Sequence, residues 1–269
     1  MKKLVIVKPG CRDFGNELIN HMSISAYGLE TGAQVVNHSP FGYPSVLKML
    51  HALYARYIGW RYGKCSLRAW RAPLFLPPTK PLPATMSCDT LYFFGWVFRN
   101  PAGIARYRRE LCTAFAPSKK VQGKVTENLA DLPPGRRYIG IHLRQRPFPG
   151  FPEGDFLVPL ERTREAIDAY IQRQGLHADE VALCIVSDLP VPKDTFAEYA
   201  HRIYYGNTET NFFLLARCSV VIGTNTTFAN TAAWFGNVPH IVITDMPVDW
   251  AYYQEKDIYF ENRYATFAF

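Results

Sequence analysis

The chain has 269 residues, 48% of them hydrophobic and 20% charged, and a formal net charge of +7. Such a chain can bury a substantial core and is long enough for two modest α/β domains, which excludes a disordered or fibrous protein. No apolar run approaches the roughly 20 residues of a membrane-spanning helix.

At the start, the apolar run Leu4 to Val7 is too short for a signal peptide and is predicted to be the first β-strand. The loop Pro9 to Gly15 follows, then a helix from about Asn16 to Glu30 closed by Gly32, then a strand from Gln34 to Val36. This loop lacks the G-x-G-x-x-G pattern, which argues against a nucleotide-dependent oxidoreductase. Between Thr31 and Cys88 there is no Asp or Glu, whereas Lys48, Arg56, Arg61, Lys64, Arg68, Arg71 and Lys80 supply seven positive charges. Tyr43, Tyr54, Tyr57, Trp60, Tyr62 and Trp70 are interleaved with them. Segment 40–72 therefore reads equally as a surface lying on anionic lipid or as an amphipathic helix packed on the core. Nucleic acid is not an expected partner, because no recognised nucleic-acid module surrounds the patch.

The run from Pro73 to Pro83 is predicted to be an extended connector. A strand from Leu91 to Phe94 and a helix from Pro101 to about Phe115 come next. Leu132-Pro133-Pro134-Gly135 marks the expected boundary between a first domain, 1–134, and a second, 135–269. Beyond it, strands at Tyr138 to His142, Leu183 to Val186, Ile203 to Tyr205, Val220 to Ile222 and His240 to Ile243 alternate with helical stretches. Those helices are predicted near Leu160 to Gln174, Lys193 to Ala200, Thr210 to Arg217 and Thr226 to Phe235. This rhythm predicts a doubly wound parallel sheet. The six cysteines are scattered without metal-binding spacing and read as reduced, cytosolic thiols.

Four segments fall at strand ends, where an open parallel sheet receives ligands. Gly15-Asn16 opens the first helix and lets an anion approach its free N–H groups. His142-Leu143-Arg144 ends an apolar strand, with Arg146 beyond it, and a guanidinium fork matches phosphate oxygens. In Val186-Ser187-Asp188 a carboxylate follows a strand and suits a base edge or a ribose hydroxyl. Gly223-Thr224-Asn225-Thr226-Thr227-Phe228 passes from strand to a hydroxyl-rich helix start, where Thr226 and Thr227 suit phosphate oxygens. Each segment alone is also explained by helix capping.

In this order, with Cys218 to Gly223 before the last segment and Trp234 after it, the motifs resemble those of the α1,2-, α1,6- and protein O-fucosyltransferase superfamily. The bacterial α1,2-fucosyltransferase branch, glycosyltransferase family 11-like, is the nearest in pattern. The resemblance implies a GT-B-like α/β fold of two Rossmann-like domains with parallel sheets facing a central cleft. It implies a metal-independent, inverting glycosyltransferase that uses GDP-fucose as donor substrate and needs no cofactor. By the same resemblance Arg144 contacts the β-phosphate and the glycosidic oxygen, and Gly15 and Asn16 approach the diphosphate. Asp188, Asn225, Thr226, Thr227 and Phe228 then hold the nucleotide, with Arg146 as a second cation.

The pattern departs from relatives at Gln145 and Pro147, where a second arginine and an aspartate are usual, and at Glu17, where glutamine is usual. For the base that accepts the acceptor's proton, Asp13 and His142 are the candidates, and Glu17, Glu153 and Asp155 are further carboxylates in neighbouring loops. The expected acceptor is a glycan hydroxyl of surface polysaccharide or lipopolysaccharide type, lipid-linked and held by the first domain. The expected location is cytoplasmic, peripheral at the inner membrane surface. A transferase using another nucleotide sugar, and a non-catalytic nucleotide- or sugar-binding protein, share the same features.

Overall fold

A computed structural model describes residues 3–6, 14–37, 90–93, 100–146, 157–244 and 246–254. The chain divides into two compact units, one ending at Ala114 and the other beginning at Phe115.

In the first unit, strand β1 (Lys3–Ile6) runs between β2 (Gln34–Asn37) and β3 (Thr90–Phe93), both parallel to it. Helix α1 (Phe14–Thr31) connects β1 to β2. It ends where Gly32 takes a left-handed φ of +62°, so that Ala33 N–H donates to Gly28 O (2.8 Å) and Gly32 N–H to Leu29 O (3.4 Å). Only glycine takes that backbone without strain, which is why the chain turns here. The predicted single helix from Pro101 is two: α2 (Pro101–Arg106) and α3 (Arg108–Ala114), broken at Tyr107. Asn100 caps α2 by accepting from Gly103 N–H (3.0 Å) and donates to Glu30 Oε2 (2.9 Å), tying α2 to α1.

The second unit starts earlier than the expected boundary at 134. Helix α4 (Lys119–Ala130) belongs to it, because its last turn is bonded to the following sheet. Tyr204 Oη donates to Asn128 O (2.5 Å) and Arg202 Nε to Asp131 O (3.3 Å). The unit continues through β4 (Arg137–Leu143), α5 (Leu160–Arg173), β5 (Val181–Ser187) and β6 (Ala200–Tyr204). It then passes through α6 (Thr208–Leu215), β7 (Val220–Thr224), α7 (Thr227–Gly236) and β8 (His240–Ile243). All five strands are parallel, in the order β6-β5-β4-β7-β8.

No helix forms over the predicted stretch Lys193 to Ala200. Pro190 and Pro192 precede it, and its bonds span three residues, as in Thr195 N–H to Pro192 O (3.2 Å) and Tyr199 N–H to Phe196 O (3.1 Å). Tyr199 donates to Asp168, which holds these turns to helix α5, and β6 begins at the next residue, Ala200.

Alternation along the strands sorts the core. Ile139, Ile141 and Leu143 of β4 join Leu183 and Ile185 of β5, Val220 and Ile222 of β7 and Ile241 and Ile243 of β8 against Ala166, Ile167, Tyr170 and Ile171 of α5. The other face of β4 carries Gly140 and His142. A Cβ on Gly140 would lie 3.0 Å from Leu215 Cδ2 and 3.2 Å from Cys218 Sγ, so α6 and the turn after it approach the strand there.

Candidate functional site

The sheet order makes β4 the strand from which the chain first winds one way, to β5 and β6, and then returns to wind the other way, through β7 and β8. Ligands of open α/β sheets bind in the crevice at such a reversal, beyond the carboxyl ends of the two central strands. Here those ends are His142-Leu143-Arg144 and Gly223-Thr224-Asn225. The two strands approach closely: a Cβ on Gly223 would lie 2.5 Å from His142 O, so no larger residue fits at 223 without separating β7 from β4.

Side chains join the two segments as well. His142 is buried, its Nδ1 lies 3.4 Å from Thr226 Oγ1, and its ring stacks on Phe228 with centroids 5.1 Å apart. Phe228 is held in turn by Phe212, edge-on at 5.5 Å. Burial, and then the nearby Arg144 cation, push the His142 pKa down to about 4, against an upward pull from Asp188. Its imidazole is neutral at pH 7, and an imidazolium so acidic is a poor partner for a proton at that pH. The geometry therefore fits His142 for packing and orientation better than for the base role that the sequence offered it.

Thr226 is the N-cap of α7. Its hydroxyl accepts from Ala229 N–H (3.2 Å), and it is buried rather than presented to the crevice. Thr227 is the first helical residue and, like Asn225 and Phe228, is half-buried. One group at this end was not singled out in the sequence. Thr224 Oγ1, at the last position of β7, is buried and among the described residues has no hydrogen-bond partner. Its neighbours in sequence gave it the look of a strand residue.

Arg144 is the first residue beyond β4 and is half-buried; Arg146 is exposed. What fixes the segment between them is the end of β5. Gln145 N–H donates to Asp188 Oδ1 (2.7 Å) and Arg146 N–H to Asp188 Oδ2 (3.3 Å). Gln145 Nε2 donates to Ser187 Oγ (3.2 Å), and that hydroxyl donates to Leu189 O (2.6 Å). Asp188, expected on the nucleotide, thus spends both carboxylate oxygens on the backbone that follows Arg144. With strand pairing on one side and this clamp on the other, the Arg144 backbone is fixed before any ligand arrives. Gln145, a departure from the motif, is the residue whose side chain completes the clamp.

In the first unit, Gly15 is buried and Asn16 and Glu17 are half-buried in the opening turn of α1. Asp13, Glu153, Asp155 and the basic segment 40–72 lie outside the described residues. Among the described residues no helix is long and apolar enough to cross a membrane.

No protein-family model and no curated protein matches the sequence. Solved structures do. POFUT1 in complex with GDP superposes with a TM-score of 0.55 at 10% identity, over 91% of this chain and 98% of that one. The fucosyltransferase NodZ from Bradyrhizobium gives 0.52 at 12% identity, over 93% and 97%. NodZ α1,6-fucosyltransferase soaked with GDP-fucose gives 0.51 at 12% identity, over 90% and 95%. Identities this low speak to architecture, and the conclusion they carry is that this chain has the α/β, GT-B-like fold of solved fucosyltransferases.

Proposed function

We propose that the chain is an inverting glycosyltransferase that moves fucose from GDP-fucose to a glycan hydroxyl without a metal ion. The observation that carries this reading is the meeting of His142-Leu143-Arg144 with the Asn225–Phe228 turn at the reversal point of the second sheet, in a fold shared with GDP-bound fucosyltransferases. In the transfer, the acceptor oxygen bonds to the sugar's anomeric carbon as the bond from that carbon to the β-phosphate oxygen breaks. Negative charge then gathers on the departing diphosphate. The guanidinium of Arg144, on a backbone held by the Ser187-Asp188 clamp, stabilises the charge where it develops. The α7 N-terminus adds favourable partial charge, and a ligand oxygen reaching the end of β7 would satisfy Thr224 Oγ1.

The acceptor's proton goes to a carboxylate, for which Asp13 is our candidate; neutral, buried His142 keeps Phe228 and Thr226 in place. The acceptor is a glycan of surface-polysaccharide or lipopolysaccharide type carried on membrane lipid, which the cations and aromatics of segment 40–72 would meet at the cytoplasmic face. Sedimentation with anionic liposomes at low and high salt tests that last point: binding lost at high salt supports it, and no binding at either salt refutes it.

The enzyme reading is tested by donor turnover. Wild-type protein should release GDP from GDP-fucose when a glycan acceptor is present, and Arg144→Ala should lower the rate at least ~10²-fold, as when a preorganised charge-stabilising donor is removed. Unchanged turnover in Arg144→Ala would refute the leaving-group assignment. GDP binding without turnover would favour a non-catalytic nucleotide-binding protein.

A further inference from the structure

Behind Asn225 lies a short buried relay that no motif contains. His240, the first residue of β8, has its Nδ1 2.6 Å from Asn230 Oδ1, and Asn230 Nδ2 donates to Asn225 Oδ1 at 3.2 Å. Asn230 and His240 are 1% and 2% exposed, so water does not compete for these bonds. Each link constrains the next. A carbonyl oxygen only accepts, so His240 must carry its proton on Nδ1; the Asn230 amide nitrogen then faces Asn225, whose oxygen must accept. Only the Asn225 N–H2 group remains for the crevice beside Arg144 and the α7 N-terminus. Run the other way, with the His240 proton on Nε2, every amide would reverse and Asn225 would offer the crevice a carbonyl.

We propose that Asn230 and His240 are positioning residues that lock the Asn225 amide with its N–H2 group toward the crevice, where it donates to an acceptor oxygen of the nucleotide. The choice of nucleotide rests on the proposed donor; the direction of the relay does not. Burial, and then the neighbouring His142, push the His240 pKa down to about 3, so the ring stays neutral across the neutral range, and its contact with Asn230 Oδ1 selects the Nδ1–H tautomer that sets the direction. The acceptor oxygen belongs to either phosphate or ribose, and GDP and guanosine separate the two.

Two measurements test the relay. The first reads the ring nitrogens of His240 by NMR in ¹⁵N-labelled wild-type protein. The Nδ1–H tautomer is expected, and the Nε2–H tautomer would overturn the proposal whatever the ligand. The second is titration with GDP and with guanosine. In Asn230→Asp the new carboxylate still accepts from His240 but can no longer donate, so the Asn225 amide turns and presents its oxygen. GDP should then bind at least ~10-fold more weakly to protein that still unfolds cooperatively, the buried carboxylate lowering the melting temperature in both the Asn225 and the Asn225→Ala background. Guanosine binding stays unchanged if the partner is phosphate and weakens in parallel if it is ribose. In an Asn225→Ala background the same substitution should cost no further affinity, because its path to the ligand is gone.

Wild-type affinity in Asn230→Asp, or a loss that persists without Asn225, would overturn the proposal. If Asn230→Asp fails to fold, Asn225→Asp serves instead: it keeps the acceptor for Asn230, turns a carboxylate oxygen outward, and should weaken GDP more than 10-fold, with unchanged binding as the contrary result. A wild type that binds no GDP would count against the proposed donor, and the tautomer would still decide the relay.

Discussion

The two flanks of β4 are built differently. On the β5 flank, polar groups bond one another: Asp188 accepts from two backbone N–H groups, and Ser187 bonds both Gln145 and Leu189. On the β7 flank, a glycine allows the strands to close up, a neutral histidine stacks on a phenylalanine, and a buried threonine hydroxyl has no partner among the described residues. A flank that satisfies itself holds a backbone still. A flank that leaves a buried hydroxyl without a partner among the described residues, beside a helix N-terminus, suits a ligand. Arg144 is the first residue beyond β4, between the two flanks, and the backbone that follows it is held by the first.

Acid should separate the flanks most strongly. His142 titrates near 4 in the folded chain, against about 6.5 when unfolded. Between those values the unfolded chain holds more protons, so stability is complete above about pH 6.5 and falls as pH drops toward 4. The loss is on the order of 3 kcal/mol, and His240 adds to it in the same direction. Chemical denaturation from pH 7 to 4 should therefore show a steeper decline in wild type than in His142→Gln; equal slopes would break the account of the β7 flank.

On the β5 flank, Asp188→Asn replaces an acceptor with a donor opposite a backbone N–H and should cost about 2 kcal/mol. Hydrogen exchange at the Gln145 and Arg146 amides should speed up, and transfer should slow without a matching loss of guanosine affinity. Protected amides in that variant would show that the clamp does not hold the loop. Gly223→Ala drives a methyl against His142 O and should cost about 1–3 kcal/mol by forcing β7 from β4. The melting temperature reports it, at roughly 2–4 °C per kcal/mol for a unit of this size. Ser187→Ala should be the mildest, near 1 kcal/mol, because Asp188 keeps both backbone bonds.

Much of the second sheet was legible because β4, β5, β7 and β8 are β-branched runs whose faces are both covered. The strand ends were legible too, since a histidine and an arginine after Ile139-Gly140-Ile141, and hydroxyls after Val220-Val221-Ile222, interrupt apolar runs abruptly. The helix α4 was not, because only Val121 and Val125 are buried on an otherwise polar segment. Lys193 to Ala200 has helical composition, yet the prolines before it and the tie from Tyr199 to Asp168 favour successive turns. The clamp made by Asp188 was not legible for a different reason: its partners are backbone N–H groups of a distant loop, and backbone donors leave no trace in residue identity. The Asn230–His240 pair depends on β8 aligning beside β7, with His240 opposite Val221. No local pattern encodes that register.

The central claim is that Arg144 meets the diphosphate at the junction of β4 and β7. Calorimetric titration of wild type and Arg144→Ala with GDP and with guanosine tests it most directly. The account predicts that the variant keeps its affinity for guanosine and binds GDP at least ~10-fold more weakly, the size of a lost charge-assisted hydrogen bond. GDP binding equal in both proteins would contradict it.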